Sequence, residues 1–405
     1  MKSNIDIGKD EYFWAKGRMP ILSKIAKNSS NKAVLTGFKI GMCLHITKET
    51  SVLVAALSEA GAKISLCAAN PLSTKDSVRD FLESANIRVF SNEPNDIDSF
   101  YSNMDKVLDT RPQIITDDGA ELHKKACLRN ISSVGGTEET TSGVNRLKVL
   151  SKEGRLPYPI IAINESIPKQ LLDNRFGTGQ STIEAIIRVT GVILASKKIV
   201  VCGYGWVGKG VAKCAKAMGA KVTITEVDPI RAIEAFFDGY EVEELEKALP
   251  ENDIFITCTG QINVIGRNHF DKLKDGAILC NAGHFDVEID VKYLKSLDSN
   301  HYDPKLNVTC YHIGSLRNKK SIFVLSDGRV INLVGAEGNS PEVMDISFSN
   351  QLLAIIYLSK VAHRLLRRVY KPPKKLDIKI AHLALTTYGL KIDRLNPEQI
   401  KYFRQ

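Results

Sequence analysis

Long apolar runs are missing from this chain of 405 residues. No stretch approaches the ~18 apolar residues of a membrane-spanning helix, so a membrane role is not expected. Met1-Lys-Ser-Asn-Ile-Asp-Ile7 lacks the apolar core of an export signal. The eight cysteines are scattered, with no C-x-x-C pair and no grouping with histidine of the metal-binding kind. A reduced cytoplasm and no metal are therefore expected. Internal repeats, low-complexity tracts and aromatic-interleaved basic repeats are also missing. The formal charge of +9 gathers partly in Arg364, Arg367, Arg368, Lys371, Lys374 and Lys375. With no nucleic-acid motif beside them, these read as a solvated surface. What remains is the composition of a soluble α/β protein long enough for two or three cores.

The most informative stretch is Lys197-Lys-Ile-Val-Val-Cys-Gly-Tyr-Gly-Trp-Val-Gly208. Ile199 to Cys202 is a short, β-branched run of the kind found in buried parallel strands. Gly203, Gly205 and Gly208 follow at the spacing G-x-G-x-x-G, with Trp206 and Val207 at its free positions. A helical pattern through Val211, Ala212, Ala215 and Met218 leads to a second strand, Lys221 to Thr225, and then to Glu226. Gly203 permits the turn, Gly205 admits a pyrophosphate to the helix N-terminus, and Gly208 lets helix and strand pack closely. The acid about 18 residues beyond the last glycine suits a ribose 2′-hydroxyl and disfavours a 2′-phosphate. That points to NAD, while Arg231 just beyond keeps NADP in view.

Elsewhere, short apolar strands alternate with helices. Residues 1 to about 30 suggest one helix. Strand-like runs at Phe38–Leu44, Lys63–Cys67, Ile87–Phe90, Gln113–Thr116 and Tyr158–Ile163 are each followed by polar residues. A helix begins in His45–Thr50. Ile254–Thr257, Ala277–Cys280 and Val330–Leu333 continue the second sheet, with Val330–Leu333 its last strand. Gly335–Gly338 reads as a hinge, and a long helix from about Val343 to Arg368 returns to the first part of the chain. The expected architecture is two doubly wound parallel-sheet domains, the second a Rossmann NAD-binding domain, with a short helical tail. The expected divisions are 1–178, 179–337, 338–371 and 372–405.

Several motifs in one order carry a resemblance. They are Leu44–Thr47, Asn70-Pro-Leu-Ser-Thr74, Asp117-Asp-Gly119, Glu138-Glu-Thr-Thr141, Lys169–Asn174, Gly203–Gly210 and His284-Phe-Asp-Val-Glu-Ile-Asp290. Over nearly its whole length the chain resembles the S-adenosylhomocysteine hydrolases (adenosylhomocysteinases). The wording of Asp173–Ser181 and the short C-terminus resemble archaeal-type members. The resemblance implies an NAD-dependent hydrolase in which a 3′-hydroxyl is oxidised, the C4′ proton is removed, and a 5′ thioether is expelled and replaced by water. It implies that Lys169 and Asp173 assist oxidation, that Asp118 is the C4′ base, and that His45 and His284 serve the leaving group and water. It assigns Glu139 to the ribose, Thr47 and Glu49 to the adenine edge, and Asn339, Met344 and Phe348 to the nucleoside pocket. Thr140, Thr141, Ser142, Asn174, Glu226 and Asn332 join the glycine loop and Arg231 around NAD. A homo-oligomer, tetramer or dimer, is implied too. Taken singly these residues have plainer readings: a turn at Asp117–Gly119, a surface ion pair at Lys169–Asp173.

The chain departs from the family at its substrate rim. Gly338-Asn339-Ser340 stands where the family has Gly-His-Pro, and Ser73-Thr-Lys-Asp76 where it has Ser-Thr-Gln-Asp. Phe100-Tyr101-Ser102 lacks the usual tryptophan, and the terminal Lys and Tyr of many members have only Lys401 and Tyr402 as near counterparts. Three readings follow: hydrolysis of S-adenosylhomocysteine, the same chemistry on another nucleoside or 5′ substituent, and a non-catalytic NAD- or nucleoside-binding regulator.

Overall fold

The computed structural model describes residues 2–28, 32–70, 73–91, 97–298, 300–314 and 319–402. Pro71 and Leu72 of the Asn70–Thr74 motif, and the terminal Gln405, lie outside them. The first six strands are β1 (Lys39–Cys43), β2 (Lys63–Cys67), β3 (Arg88–Phe90), β4 (Ile114–Asp117), β5 (Gly135–Glu138) and β6 (Ile160–Ala162). The next eight are β7 (Lys198–Cys202), β8 (Lys221–Thr225), β9 (Glu241–Val242), β10 (Ile254–Thr257), β11 (Ile278–Asn281), β12 (Tyr302–Lys305), β13 (Val308–Ile313) and β14 (Lys320–Leu325). The last strand, β15 (Val369–Tyr370), pairs in parallel with β6, so the chain ends on the sheet where it began. The first sheet runs β15-β6-β5-β4-β1-β2-β3 and the second β12-β13-β14-β11-β10-β7-β8-β9.

The β-branched and aliphatic content of these strands explains their burial on both faces. Ile114 and Ile115 of β4 are both fully buried, and so are Ile199 and Val200 of β7. One side of the first sheet packs on Leu22, Leu53, Ile355 and Leu358, the other on Leu108, Leu122 and Leu147. Parallel strands with crossover helices put their carboxyl ends on one rim of each sheet, and these rims supply the loops described below.

Four expectations change. The N-terminal segment is two helices, Asn4–Gly17 and Pro20–Lys27. Pro20 disfavours helical geometry at Met19, which sits at φ −117°, ψ 59°. The second sheet is mixed: β13 runs antiparallel to both β14 and β12. Val330–Leu333 is no strand, because the edge of β11 is already taken by β14. Val330 makes a single bridge to Asn281, and Ile331–Val334 turns helical. The long helix spans Pro341–Val361 and stops before Arg368, whose carbonyl accepts from Ile160 beside β15. The helix after β1 begins at Lys48 with Thr47 as its N-cap, inside the expected His45–Thr50.

Among the described residues no helix is long and apolar enough to cross a membrane. Helices Thr178–Thr190 and Trp206–Ala217 cross at glycines: a Cβ on Gly210 would lie 1.7 Å from the Arg175 carbonyl oxygen. A Cβ on Gly205 would meet only the Arg231 guanidinium, at 3.7 Å. Gly210→Ala is therefore expected to destabilise by roughly 1–3 kcal/mol or more, since backbone cannot yield cheaply. Gly205→Ala should leave the thermal melt unchanged, and equal melts for the two variants would contradict this packing.

Candidate active site

The loop after β11 meets the loops after β1 and β4. His45 follows β1 and Asp118 follows β4, while His284 arrives from the loop after β11. His45 Nε2 lies 3.5 Å from Asp118 Oδ2, and His284 Nδ1 lies 3.5 Å from Asp118 Oδ1. His45 Nδ1 lies 2.7 Å from the Ser73 hydroxyl, which fixes the ring. Burial pushes both imidazoles below their ordinary range, with the Asp118 charge opposing it. A carboxylate between two largely neutral imidazoles is suited to moving protons near neutral pH.

Lys169 and Asp173 lie one turn apart in a segment whose second part, Gln170–Gly177, winds as a π-helix, a feature frequent at functional sites. Their charged atoms are 3.3 Å apart, and neither residue is more than 6% exposed, so this is no surface pair. Lys169 Nζ also donates to Asn174 Oδ1 at 2.5 Å and Asn164 Oδ1 at 3.2 Å. Asp173 accepts from Ser347 Oγ at 2.6 Å and from Asn339 Nδ2 at 2.8 Å. Asn339 completes its own pattern by accepting from Ser181 Oγ at 2.9 Å and Asn332 Nδ2 at 3.5 Å. It is thus tied into the lysine–carboxylate pair as a neutral group that cannot become cationic.

Glu139 sits between the two clusters. Its carboxyl is pushed up to about 8, first by burial and then by Asp173 and Asp118, against the pull of Lys169. Among the described residues its Oε1 has no hydrogen-bond partner, and neither has Asn332 Oδ1. Buried acceptors without donors suit a polyhydroxylated ligand. Glu49 is only 2% exposed, and Lys48 lies 3.4 Å from it and 3.0 Å from Glu337.

The residues also fit a dinucleotide. Gly203 turns at φ +99°, Gly205 opens the N-terminus of helix Trp206–Ala217, and a Cβ on Gly208 would lie 1.9 Å from the Gly203 carbonyl. Glu226 at the tip of β8 is held by the amides of Tyr204, Val227 and Asp228. Trp206 lies under the Lys209 ammonium, and Val207 packs on the second sheet's core. Arg231 is drawn toward Asp228 at 3.8 Å. Thr140 caps helix Thr141–Lys152 with Ser142 beside it, and Thr141 accepts from Asn164.

Two expected pocket residues are packed with the first sheet's core. Phe348 is 4% exposed in the core of the first sheet, and Met344 packs against the same cluster. Several residues had no role read from sequence. Asn164 accepts from both Lys169 and Asn174. Glu138 accepts from the amides of Gly119, Ala120 and Thr140, and from the Thr140 hydroxyl. Glu288 holds Thr259 and Gly260 in the same way in the second sheet. The one signal available was position, since Glu138 closes β5 and Asn164 directly follows β6.

A carboxyl raised by folding binds its proton more tightly in the native state. Between the ordinary value of 4.5 and about 8, unfolded Glu139 is ionised and folded Glu139 is not, so stability falls as pH rises through that window. Glu139→Gln removes this dependence. In thermal melts without nucleoside, the variant should gain on the parent from pH 5 to pH 8 by about 1–3 kcal/mol. Parallel curves would contradict the assignment.

Comparison with known proteins agrees with this geometry. The family model for S-adenosyl-L-homocysteine hydrolase matches residues 2–132, and that for the NAD-binding domain of the same family matches residues 174–338. The adenosylhomocysteinase of Sulfolobus acidocaldarius is 45% identical over 400 residues, covering 98% of this chain and 96% of its own. The S-inosyl-L-homocysteine hydrolase of Methanocaldococcus jannaschii is 44% identical over 399 residues, covering 98% and 95%. The adenosylhomocysteinase of Aquifex aeolicus is 44% identical over 394 residues, covering 96% and 94%. The chain therefore belongs to the S-adenosyl-L-homocysteine hydrolase family and carries that family's NAD-binding domain.

Proposed function

We propose that the chain catalyses the reversible hydrolysis of S-adenosyl-L-homocysteine to adenosine and L-homocysteine. The observation that carries this reading is one buried constellation. It joins an amine–carboxylate pair, a carboxyl that burial pushes up to about 8, and a carboxylate flanked by two imidazoles. Bound NAD⁺ supplies a hydride acceptor for C3′, and the rest falls to side chains. Lys169, steered by Asp173, takes the 3′-hydroxyl proton. The ketone at C3′ acidifies the C4′ proton, which Asp118 removes. His45 and His284 pass a proton to the departing sulfur and take one from the entering water. Glu139 engages the ribose hydroxyls. Thr140, Thr141, Ser142, Asn174, Glu226 and Asn332 hold the cofactor with the glycine loop, and Thr47 and Glu49 meet the base, with Asn339 at the mouth of the nucleoside pocket.

A second substrate, S-inosyl-L-homocysteine, is favoured by one feature. Lys48 stands 3.4 Å from Glu49, and Lys75 adds its charge beside Glu337. A cation at the base edge would donate to a 6-oxo group, which hypoxanthine has and adenine lacks. On either reading the substrate-binding part spans 1–178, the NAD-binding part 179–337, the returning hinge and helix 338–371, and the tail 372–405. The enzyme acts in the cytoplasm as a homo-oligomer, tetramer or dimer.

The test is direct. Denatured enzyme should release NAD(H), and adenosine or inosine should generate reduced-cofactor absorbance without added acceptor. Lys169→Ala should slow this reduction by ~10²–10⁴-fold. Asp118→Asn should permit reduction but block solvent-deuterium entry at C4′. Preference between the adenine and hypoxanthine thioethers decides the base. If no nucleoside reduces the bound cofactor, a non-catalytic regulator replaces both readings.

A further inference from the structure

Arg146 belongs to none of the groups above, yet it closes the contact between the two catalytic loops. It projects from helix Thr141–Lys152, which packs with the first sheet. Its guanidinium carbon lies 3.9 Å from the centre of the Phe285 ring, which comes from the second sheet's loop. The same guanidinium donates to Glu121 Oε1 at 2.6 Å and to the Gly119 carbonyl at 3.4 Å. Phe285 in turn meets the adjacent His284 ring edge to face, centroids 4.5 Å apart. His284 lies so close to the Asp118–Gly119 turn that a Cβ on Gly119 would be 2.5 Å from His284 Nε2. One planar cation thus touches the turn that carries Asp118 and the ring that backs His284.

We propose that Arg146 is a positioning residue for the 5′ half of the reaction. By stacking on Phe285 while bonded to the Gly119 carbonyl, it holds His284 against Asp118 across the junction of the two sheets. The inference rests on the reading of Asp118 and His284 given under the proposed function. A planar guanidinium can stack on an aromatic face and donate sideways at once, whereas an ammonium cannot do both. The charge also acts on the imidazole. Burial is the main force keeping His284 below its ordinary range; Asp118 opposes it, His45 and then Arg146 add to it, and Glu121 opposes it least. Lys169 and Asp173 make no contact with Arg146 among those described, so the 3′ half should proceed without it.

The experiment separates the halves in the whole enzyme. Rapid mixing with adenosine reads bound-cofactor reduction, the 3′ half. Steady-state thioether hydrolysis reads the full cycle. Arg146→Ala and Arg146→Lys should each keep reduction within about threefold of the parent while turnover falls by ~10–100-fold, the scale of a misplaced group. Phe285→Leu should show the same split, and the Arg146→Ala/Phe285→Leu pair should be no worse than the worse single variant. Glu121→Gln, which breaks only the ion pair, should change neither rate by more than about threefold. Equal loss of both rates, multiplying effects, or the same split in Glu121→Gln would overturn the proposal. His284 labelled for NMR gives a readout that needs no turnover: its titration should move upward in Arg146→Ala, and an unmoved titration overturns the proposal. If the parent enzyme itself fails to reduce its cofactor with adenosine, the functional reading fails, and the His284 titration still judges Arg146.

Discussion

The burial of one lysine organises this molecule. An ammonium taken out of water costs several kcal/mol unless its charge and its donors are met. Lys169 is met by Asp173, Asn164 and Asn174. Asp173 then needs donors of its own, and they come from Ser347 on the returning helix and Asn339 at the hinge. Asn339 is held by Ser181 and Asn332, at the edge of the second sheet. One charge thus draws together β6, the π-helical turn, the crossover helix and the segment joining the sheets. A surface pair would demand none of this.

The same economy of buried carboxylates appears around the loops. Glu138 is fully buried, and its ionisation is pushed well up by burial and by nearby Asp117, which is itself raised to about 7. Glu138 holds the Asp118 turn and Thr140 together; Glu288 holds the loop after β10. A Cβ on Gly283 would lie 1.8 Å from Glu288 Oε1, so the glycine before His284 is required by packing. Each catalytic loop is therefore fixed from beneath by an acid that does not reach the ligand. Preorganisation of this sort removes the entropic cost of aligning groups during the reaction.

Much of this was legible in the sequence where the chemistry requires a residue type at a fixed spacing. The glycine loop and Glu226 announced a dinucleotide, because only that spacing turns the chain, opens the helix end and seats it on the strand. Of the residues named from the motifs, His45 and His284 meet at Asp118, and Lys169 meets Asp173. The antiparallel edge β12–β14 was not legible: β12 is exposed at all four positions, so alternation carried no signal there. Val330–Leu333 failed for a different reason, since its strand-like residues find an occupied edge, which only topology reveals. Asn164, Glu138 and Arg146 were invisible because their roles lie in partners distant in sequence.

The central claim is that C3′ of a nucleoside gives its hydride to cofactor held at the Lys169–Asp173 pair. Adenosine carrying deuterium at C3′, mixed with the enzyme and followed by denaturation and mass analysis of the released cofactor, tests it most directly. The account predicts that the reduced nicotinamide carries the label and that its formation is slowed by the heavier isotope. Unlabelled cofactor, or label that never leaves the nucleoside, would contradict it.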